Sequence, residues 1–506
     1  MTSVNSVKIR MYRHGFGDCF LLRFFSDNKL SCSMLIDCGL KKNDSVPGVT
    51  LDMVKKDIAG LLNPQKKDKI PLDILVITHE HWDHVSAFLP KDQRFDDLSI
   101  GQLWMAWTED PDDKDAKILN KGLEDRIKAL QLAGARLKKS AQRSAATFKN
   151  IYNGDKLQAA REEFHTSLEE VMAFMGPVGL TKTPGGISVK DKYTISMDTQ
   201  KAMDHIRSIA AGRDAAIRYC NPGELLDNIT LLPGVRIYVL GPPKNKLLNK
   251  DAPSAGGASE VYFGNNSLAG FVDGVLRIES DRHATDDTDS GKPFGRVASF
   301  SADAKEPWLT QKDGYRDPKC AWRTIEDDWL DMAGALAMQM DSDTNNTSLA
   351  LAIEFAGSGK VLLFPGDAQV GNWLSWHDQS WTVKDGNKTK AVKAADLLNK
   401  TVFYKVGHHS SHNATLKEKG LEMMTDPDLV AFVPEKNDQY NGIPYKPLLE
   451  SLRKKTKGRL IYSADKNIPA EGSLKKRPAS LSAKEWKEFT DAIELKPLYV
   501  EYTLKS

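Results

Sequence analysis

The stretch VITHEHWDH, Val76 to His84, sets three of the chain's eleven histidines and an aspartate within six positions. Imidazole nitrogen and carboxylate oxygen in one knot are a donor set for Zn²⁺, and for Mn²⁺ or Fe²⁺ where oxygen predominates. A lone histidine is ordinarily a satisfied core or surface residue. Three of them around an aspartate point instead to metal ligation. His79 and His81 are alternate residues, so strand geometry persisting to that point would project their rings to one side. Asp83 and His84 follow where the chain must turn, and can offer an oxygen and a nitrogen to a neighbouring position. The helical HExxH motif of metalloproteases is excluded, because the residue four beyond His79 is Asp83 and the preceding LDILVIT reads as a strand.

Four residues in one loop do not close a metal site, so distant partners are expected. KVLLFPGDAQ runs from an apolar strand into Gly366 and Asp367, setting a carboxylate at a strand end. TVFYKVGHHSSH does the same with His408 and His409. Alone, a PGD turn or a histidine pair carries little. Their shared placement, each at the end of an apolar strand like the first cluster, joins them to it.

The elements that must position these groups divide the 506 residues into blocks. Residues 1–108 read as short strands with intervening helix, including VKIRMYR, CFLLRFF, CSMLIDCG and LDILVIT. Residues 109–215 carry apolar residues at three- and four-residue spacing among many charges, the pattern of an amphipathic helical insertion. Strand character returns over 216–245 in VRIYVLGPP. A loop-rich insertion over 246–339 ends in the helix WRTIEDDWLDMAGALAMQM, and residues 340–506 resume the strands. Strands mixed with helices in this way indicate an α/β sandwich: one β-rich core interrupted by insertions.

Bulk composition excludes several classes. A net charge of +2 says almost nothing about partners, since a local basic patch can sit inside a balanced total, and 41% hydrophobic with 27% charged residues describes an ordinary globular chain. Five cysteines without a CxxC pair argue against a thiolate zinc site or a disulfide framework. There is no apolar run long enough for a membrane span and no signal-peptide core, so a reduced, cytoplasmic protein without a membrane partner is the expectation.

The motifs resemble those of a known family. His79-Glu80-His81-Trp82-Asp83-His84 matches the HxHxDH signature of the metallo-β-lactamase superfamily, with LIDCG (Asp37, Gly39) before it and Asp367 and His408–His409 after it. More narrowly, RHGFGDCFLLRF, VRIYVLGPP, NNTSLALAIEF, KVLLFPGDAQ and YKVGHHSSH resemble the soluble metal-binding domain of ComEC-type competence proteins. The likeness covers roughly residues 6–108, 216–245 and 340–466. It implies an α/β fold, the αββα metallo-β-lactamase sandwich, here with a large, mainly helical insertion. It further implies two divalent metal ions, Zn or Mn. His79 and His81 would hold one, Asp83 and His84 the second, and Asp367 would bridge them. His408 would complete the second site, with His409 as its competitor, and Asp37 would orient the cluster by hydrogen bonding.

The chain also departs from that pattern. The usual third histidine of the first site has no counterpart, since His165, His205 and His283 lie in the insertions. An oxygen ligand from MDSDTNNTS (Asp341, Asp343, Asn345, Asn346), with Asp343 and Asn346 preferred, or water, is expected to fill the gap and to favour Mn²⁺. Ser410 stands where the family's HHGS has glycine, and Ile443 replaces a histidine before the proline of GIPYK.

Two metals about 3.5–4 Å apart share a hydroxide and stabilise the charge that develops on the attacked centre. Asp83, His84 and Asp367 would carry that chemistry. The expected activity is metal-dependent hydrolysis, with a phosphodiesterase or nuclease first. The alternatives are a hydrolase of a small ester, lactone or cyclic nucleotide with the insertion as a lid, and a partner-controlled module docking through the helical insertion. A nucleic-acid substrate would meet LRKKTKGR and the basic residues of ARLKK and SAQR, which read equally as a solvated helix face. The stretch GNWLSWHDQSW reads as core or as interface. The transmembrane channel that accompanies the ComEC domain has no counterpart here, so DNA uptake is not implied.

Overall fold

The computed structural model describes residues 2–41, 44–128, 130, 174, 178–182, 193–212, 215–245, 248, 340, 342–385, 388–436, 443–464, 474 and 476–506. The helices read in 131–173, the loop-rich stretch with nearly all of its closing helix, the basic ARLKK and SAQR, and His165, His283 and Asp341 lie outside the described residues.

The first sheet draws on strands β1 (Ser6–Tyr12), β2 (Phe20–Ser26), β3 (Lys29–Ile36), β4 (Ile70–Val76) and β5 (Leu98–Ala106). After a hairpin of β6 (Val178–Lys182) and β7 (Tyr193–Met197) comes β8 (Ala216–Cys220). The second sheet draws on β9 (Leu225–Leu226), β10 (Val235–Gly241), β11 (Ala350–Phe355) and β12 (Val361–Phe364). A side hairpin, β13 (Ser380–Asp385) and β14 (Lys388–Lys393), precedes β15 (Thr401–Lys405), β16 (Val430–Lys436) and β17 (Leu460–Ala464). The last two strands, β18 (Ile493–Leu495) and β19 (Tyr499–Lys505), return to the first sheet. The sheet orders are β18-β19-β1-β2-β3-β4-β5-β8 and β17-β16-β15-β12-β11-β10-β9.

Each sheet is antiparallel in one half and parallel in the other. β3, β4, β5 and β8 run parallel, as do β12, β15, β16 and β17. Alternation along the strands builds three apolar layers. Ile9, Leu22, Met34, Ile74 and Trp104 of the first sheet meet Ile237, Ile353, Phe364, Phe403 and Phe432 of the second in the central core. Edge-on contact of Phe20 with Phe364, centroids 5.8 Å apart, crosses that interface. The opposite face of the first sheet (Leu21, Leu35, Leu75, Leu103) packs under Val54, Ile58 and Leu62 of one helix and Ala202, Met203 and Ile206 of another. The opposite face of the second (Tyr238, Leu363, Tyr404) packs against Trp373, Trp376, Leu397 and Leu452. The expected α/β sandwich is therefore present, with helices outside both sheets. Trp373, Trp376 and Trp381 are core material in this outer layer.

Local chemistry explains these helices. Thr50 caps Leu51–Leu62 by accepting from Met53 N–H at 3.3 Å, and its apolar residues recur every four positions. The helix Asp198–Ala211, read from the sequence as part of the helical insertion, packs on the first sheet beneath β5. No helix among the described residues is long and apolar enough to cross a membrane.

On the helix-covered face of the first sheet, Glu501 of β19 receives Arg10 Nε of β1 and Arg23 of β2, each at 2.7 Å. Arg10 also reaches Asp57 of the helix Leu51–Leu62 at 2.6 Å. Burial alone would raise the Glu501 carboxyl, but the two guanidinium groups hold it below the usual carboxylate range. Removing one partner strands buried charge. Glu501→Gln is expected to destabilise the protein by about 3 kcal/mol in urea unfolding. A loss below about 1 kcal/mol would show that this triad behaves like a surface pair.

Candidate metal centre

Every residue of the sequence-derived cluster lies at one edge of the sandwich. β4 ends at Val76 and leads into His79–His84; β12 ends at Phe364 before Asp367; β15 ends at Lys405 before His408 and His409. Asp37 follows β3, and Asp18 precedes β2, which is antiparallel to it. Ends of parallel strands leave loops free of ladder bonds, which is where α/β sheets gather functional groups.

Asp37 fixes the histidine loop. With φ at 54°, it accepts Thr78 N–H at 2.8 Å and Thr78 O–H at 2.7 Å, and its Oδ2 lies 2.9 Å from His84 Nδ1. The loop also rests on neighbouring backbone. Cys38 N–H donates to His84 O at 2.9 Å, and Asp18 N–H donates to Asp83 O at 3.0 Å. A Cβ at Gly39 would stand 2.2 Å from the Asp83 carbonyl carbon, so only glycine permits this approach.

His79 and His81 do not sit on a continuing strand. They lie in the loop with ring centroids 4.7 Å apart, and the His79 ring is 4.2 Å from that of His84. Asp83 and His84 occupy the short helical turn Trp82–Val85. His84 Nε2 lies 3.1 Å from Asp367 Oδ2, and His409 Nε2 lies 2.8 Å from Asp83 Oδ2 and 3.8 Å from Asp367 Oδ2. One ligand atom each from Asp83, His84, Asp367 and His409 falls within a 4.8 Å group, and all four residues are buried. His79 Nε2 and Asp83 Oδ1, both buried, have no hydrogen-bond partner among the described residues. Orphaned lone pairs beside a compact nitrogen and carboxylate set fit a bound cation.

The histidine pair divides. His409 meets Asp83, while the His408 ring turns to Ser411 Oγ (2.8 Å), Gln369 Nε2 (3.2 Å) and Asn345 Nδ2 (3.3 Å). His408 contributes its backbone N–H to Asp367 Oδ1 at 2.9 Å. The preferred oxygen donors do not join the group. Asp343 pairs with Arg126, and Asn346 Oδ1 accepts from the backbone of Gln369 and Asn372 at 3.2 Å each. From MDSDTNNTS, Asn345 reaches His408. His205 is held elsewhere, by Phe88 O and Asp96.

Sequence reasoning passed over Lys405 and Asp18. The Lys405 ammonium donates to Gly366 O (2.9 Å) and Asp367 Oδ1 (3.0 Å) and ion-pairs with Asp18. The signal was there: β15 is buried at every position, and a lysine inside such a strand must have partners.

Charge in the metal-free centre is paired internally, four carboxylates (Asp18, Asp37, Asp83, Asp367) against the three basic groups His84, His409 and Lys405. Burial pushes His84 down, but four carboxylates, Asp367 foremost, hold it well above the ordinary histidine range. Burial likewise lowers His409, and its bond to Asp83 together with the charges of Asp367, Asp83 and Asp18 more than offsets this. Burial would raise Asp83, yet His84 and His409 bring it down to about 2. Burial lowers His79 well below its ordinary value and His81 to about 4.

No family model matches the chain, and no curated protein matches it.

Two outcomes follow. A cation must displace protons from His84 and His409, so apparent metal affinity should climb with pH across neutrality, with proton release visible by calorimetry in buffers of different ionisation enthalpy. Affinity independent of pH between about 6 and 8 would contradict imidazolium in the free centre. Second, His408, His409 and Ser410 take φ of 41°, 47° and 65°, a left-handed run without glycine, and the buried Ser410 Oγ has no hydrogen-bond partner among the described residues. Ser410→Gly is expected to stabilise the protein by about 0.5–1 kcal/mol, and a lowered Tm would refute that strain.

Proposed function

We propose that this chain is a metal-dependent hydrolase of the metallo-β-lactamase kind, acting on phosphodiester bonds through a dimetal-activated hydroxide. The observation that carries the reading is the group of Asp83, His84, Asp367 and His409 with the unpartnered His79 Nε2 beside it. Asp83, His84, Asp367 and His409 would hold one ion, and His79 and His81 would share Asp367 with the other. When bound, two such ions supply hydroxide near neutral pH and clamp the attacking and leaving oxygens of an in-line displacement, which suits a phosphodiester.

The chain's own residues prepare this. Asp37 accepts a hydrogen bond from His84 Nδ1–H, so the nitrogen that gives up its proton to a cation would be Nε2, on the side of Asp367 and Asp83. Phe16 lies on His409 with centroids 3.8 Å apart and limits where that ring can move.

A second reading has one specific support. Phe174, from the segment between β5 and β6, lies 5.7 Å from the His81 ring and 6.0 Å from Phe16. An inserted side chain over the centre favours a small substrate, such as an ester, lactone or cyclic nucleotide, in a closed pocket. The basic patch offers nucleic acid less than its composition promised, because Arg459 ion-pairs with Asp428 and Glu485 and Arg453 contacts Tyr462.

The test is hydrolysis of single- and double-stranded DNA, a cyclic dinucleotide and a lactone with Mn²⁺ or Zn²⁺, beside Asp83→Asn. Phosphodiester cleavage lost in the variant supports the first reading; lactone turnover alone supports the second. Folded, metal-loaded protein inert on all of them would count against both. In parallel, His409→Ala is expected to lose about 10–100-fold in metal affinity, whereas His408→Ala keeps its metal content by elemental analysis. The reverse result would exchange the two histidines.

A further inference from the structure

Asp367 divides its two oxygens between different tasks. Oδ2 faces the metal-binding nitrogens, 3.1 Å from His84 Nε2 and 3.8 Å from His409 Nε2. Oδ1 faces the other way and receives the Lys405 ammonium at 3.0 Å and the His408 N–H at 2.9 Å. Lys405 is itself fully engaged. An ammonium has three N–H donors, and here the acceptors are Asp367 Oδ1, Gly366 O and Asp18 Oδ2. All of these side chains are buried, away from bulk solvent. Lys405 ends β15 of the second sheet and Asp18 precedes β2 of the first, so the tripod spans both sheets.

We infer that Lys405 is a positioning residue that occupies Asp367 Oδ1 and thereby restricts this carboxylate to metal contact through Oδ2. The inference rests on the dimetal reading above and goes beyond it by assigning which oxygen serves. A carboxylate with both oxygens free can chelate one ion and so change its coordination number. With Oδ1 held by a fixed cation and a backbone donor, Asp367 can neither swing nor chelate. Lys405 touches no reacting group; it acts through Asp367.

The experiment uses the full chain loaded with Co²⁺, whose visible spectrum reports coordination geometry. Lys405→Met alone would strand Asp18 as a buried charge, so the informative variant is Asp18→Asn/Lys405→Met, which removes the pair with no change in net charge. Metal affinity measured by chelator competition is expected to fall about 10–100-fold, and the Co²⁺ bands to change intensity and position. Asp18→Asn alone, with Lys405 still on Asp367, is expected to keep the wild-type spectrum. Should the double variant not fold, Lys405→Arg keeps the charge but displaces the donors, and the same spectral change is expected. A merely structural lysine would lower the Tm of the metal-free protein and leave the spectrum as it was. A folded double variant, or a folded Lys405→Arg, with wild-type spectrum and affinity overturns the inference while leaving the dimetal reading standing. Wild-type protein that takes up no cobalt overturns the dimetal reading and this inference with it.

Discussion

Charge buried at the edge of an apolar sandwich has to be balanced within a few ångströms, because each unpaired ion there would cost several kcal/mol. Asp18, Asp37, Asp83, Asp367, His84, His409 and Lys405 meet that constraint by pairing, each carboxylate within reach of at least one of the three basic groups. The rest of the architecture follows from holding them in register. Three apolar layers make the strands stiff, so the loops at their ends meet at fixed distances. Glycine at position 39 lets two backbones touch behind Asp83, which packing alone would forbid.

The parallel half of each sheet does the bringing together. β12 and β15 pair with Leu363 opposite Tyr404, so residues four further on in each strand, Asp367 and His408, emerge side by side. β3 and β4 pair with Ile36 opposite Val76, which sets Asp37 against Thr78 and the histidine loop. Two adjacent strand pairs, one in each sheet, thus deliver a carboxylate beside a histidine-bearing loop from either side of the central core.

Much of this was legible because it is local. HxHxDH, the glycine before Asp367 and the histidine pair are short patterns next to apolar runs, and strand ends are readable from alternation. What sequence could not supply was orientation. The choice between His408 and His409 depends on the left-handed turn through 408–410, and serine at its third position disguises that conformation. Within the helical residues 342–346, successive side chains diverge by about 100°, so Asn345 reaches His408 while its neighbour Asn346 faces the start of the helix Val370–Trp376. The partnership of Lys405 with Asp18 joins residues from opposite ends of the chain and has no periodic signature. The helix Asp198–Ala211 shares its charged amphipathic pattern with the segment before it, so composition assigned it to the insertion although its apolar face lies on the first sheet.

The pairing of β1 with β19 has a consequence in time. Ser6–Tyr12 has β2 on one side, and its other edge pairs with Tyr499–Lys505, in which Glu501 lies 491 residues after its partner Arg10. Until that pairing forms, the sheet beneath Asp37 and the histidine loop has an open edge, and the partners of Arg10 are incomplete. Contacts of such sequence separation form late and slowly. During synthesis, then, every residue of the candidate metal-binding group is made before the strand that closes the sheet beneath it.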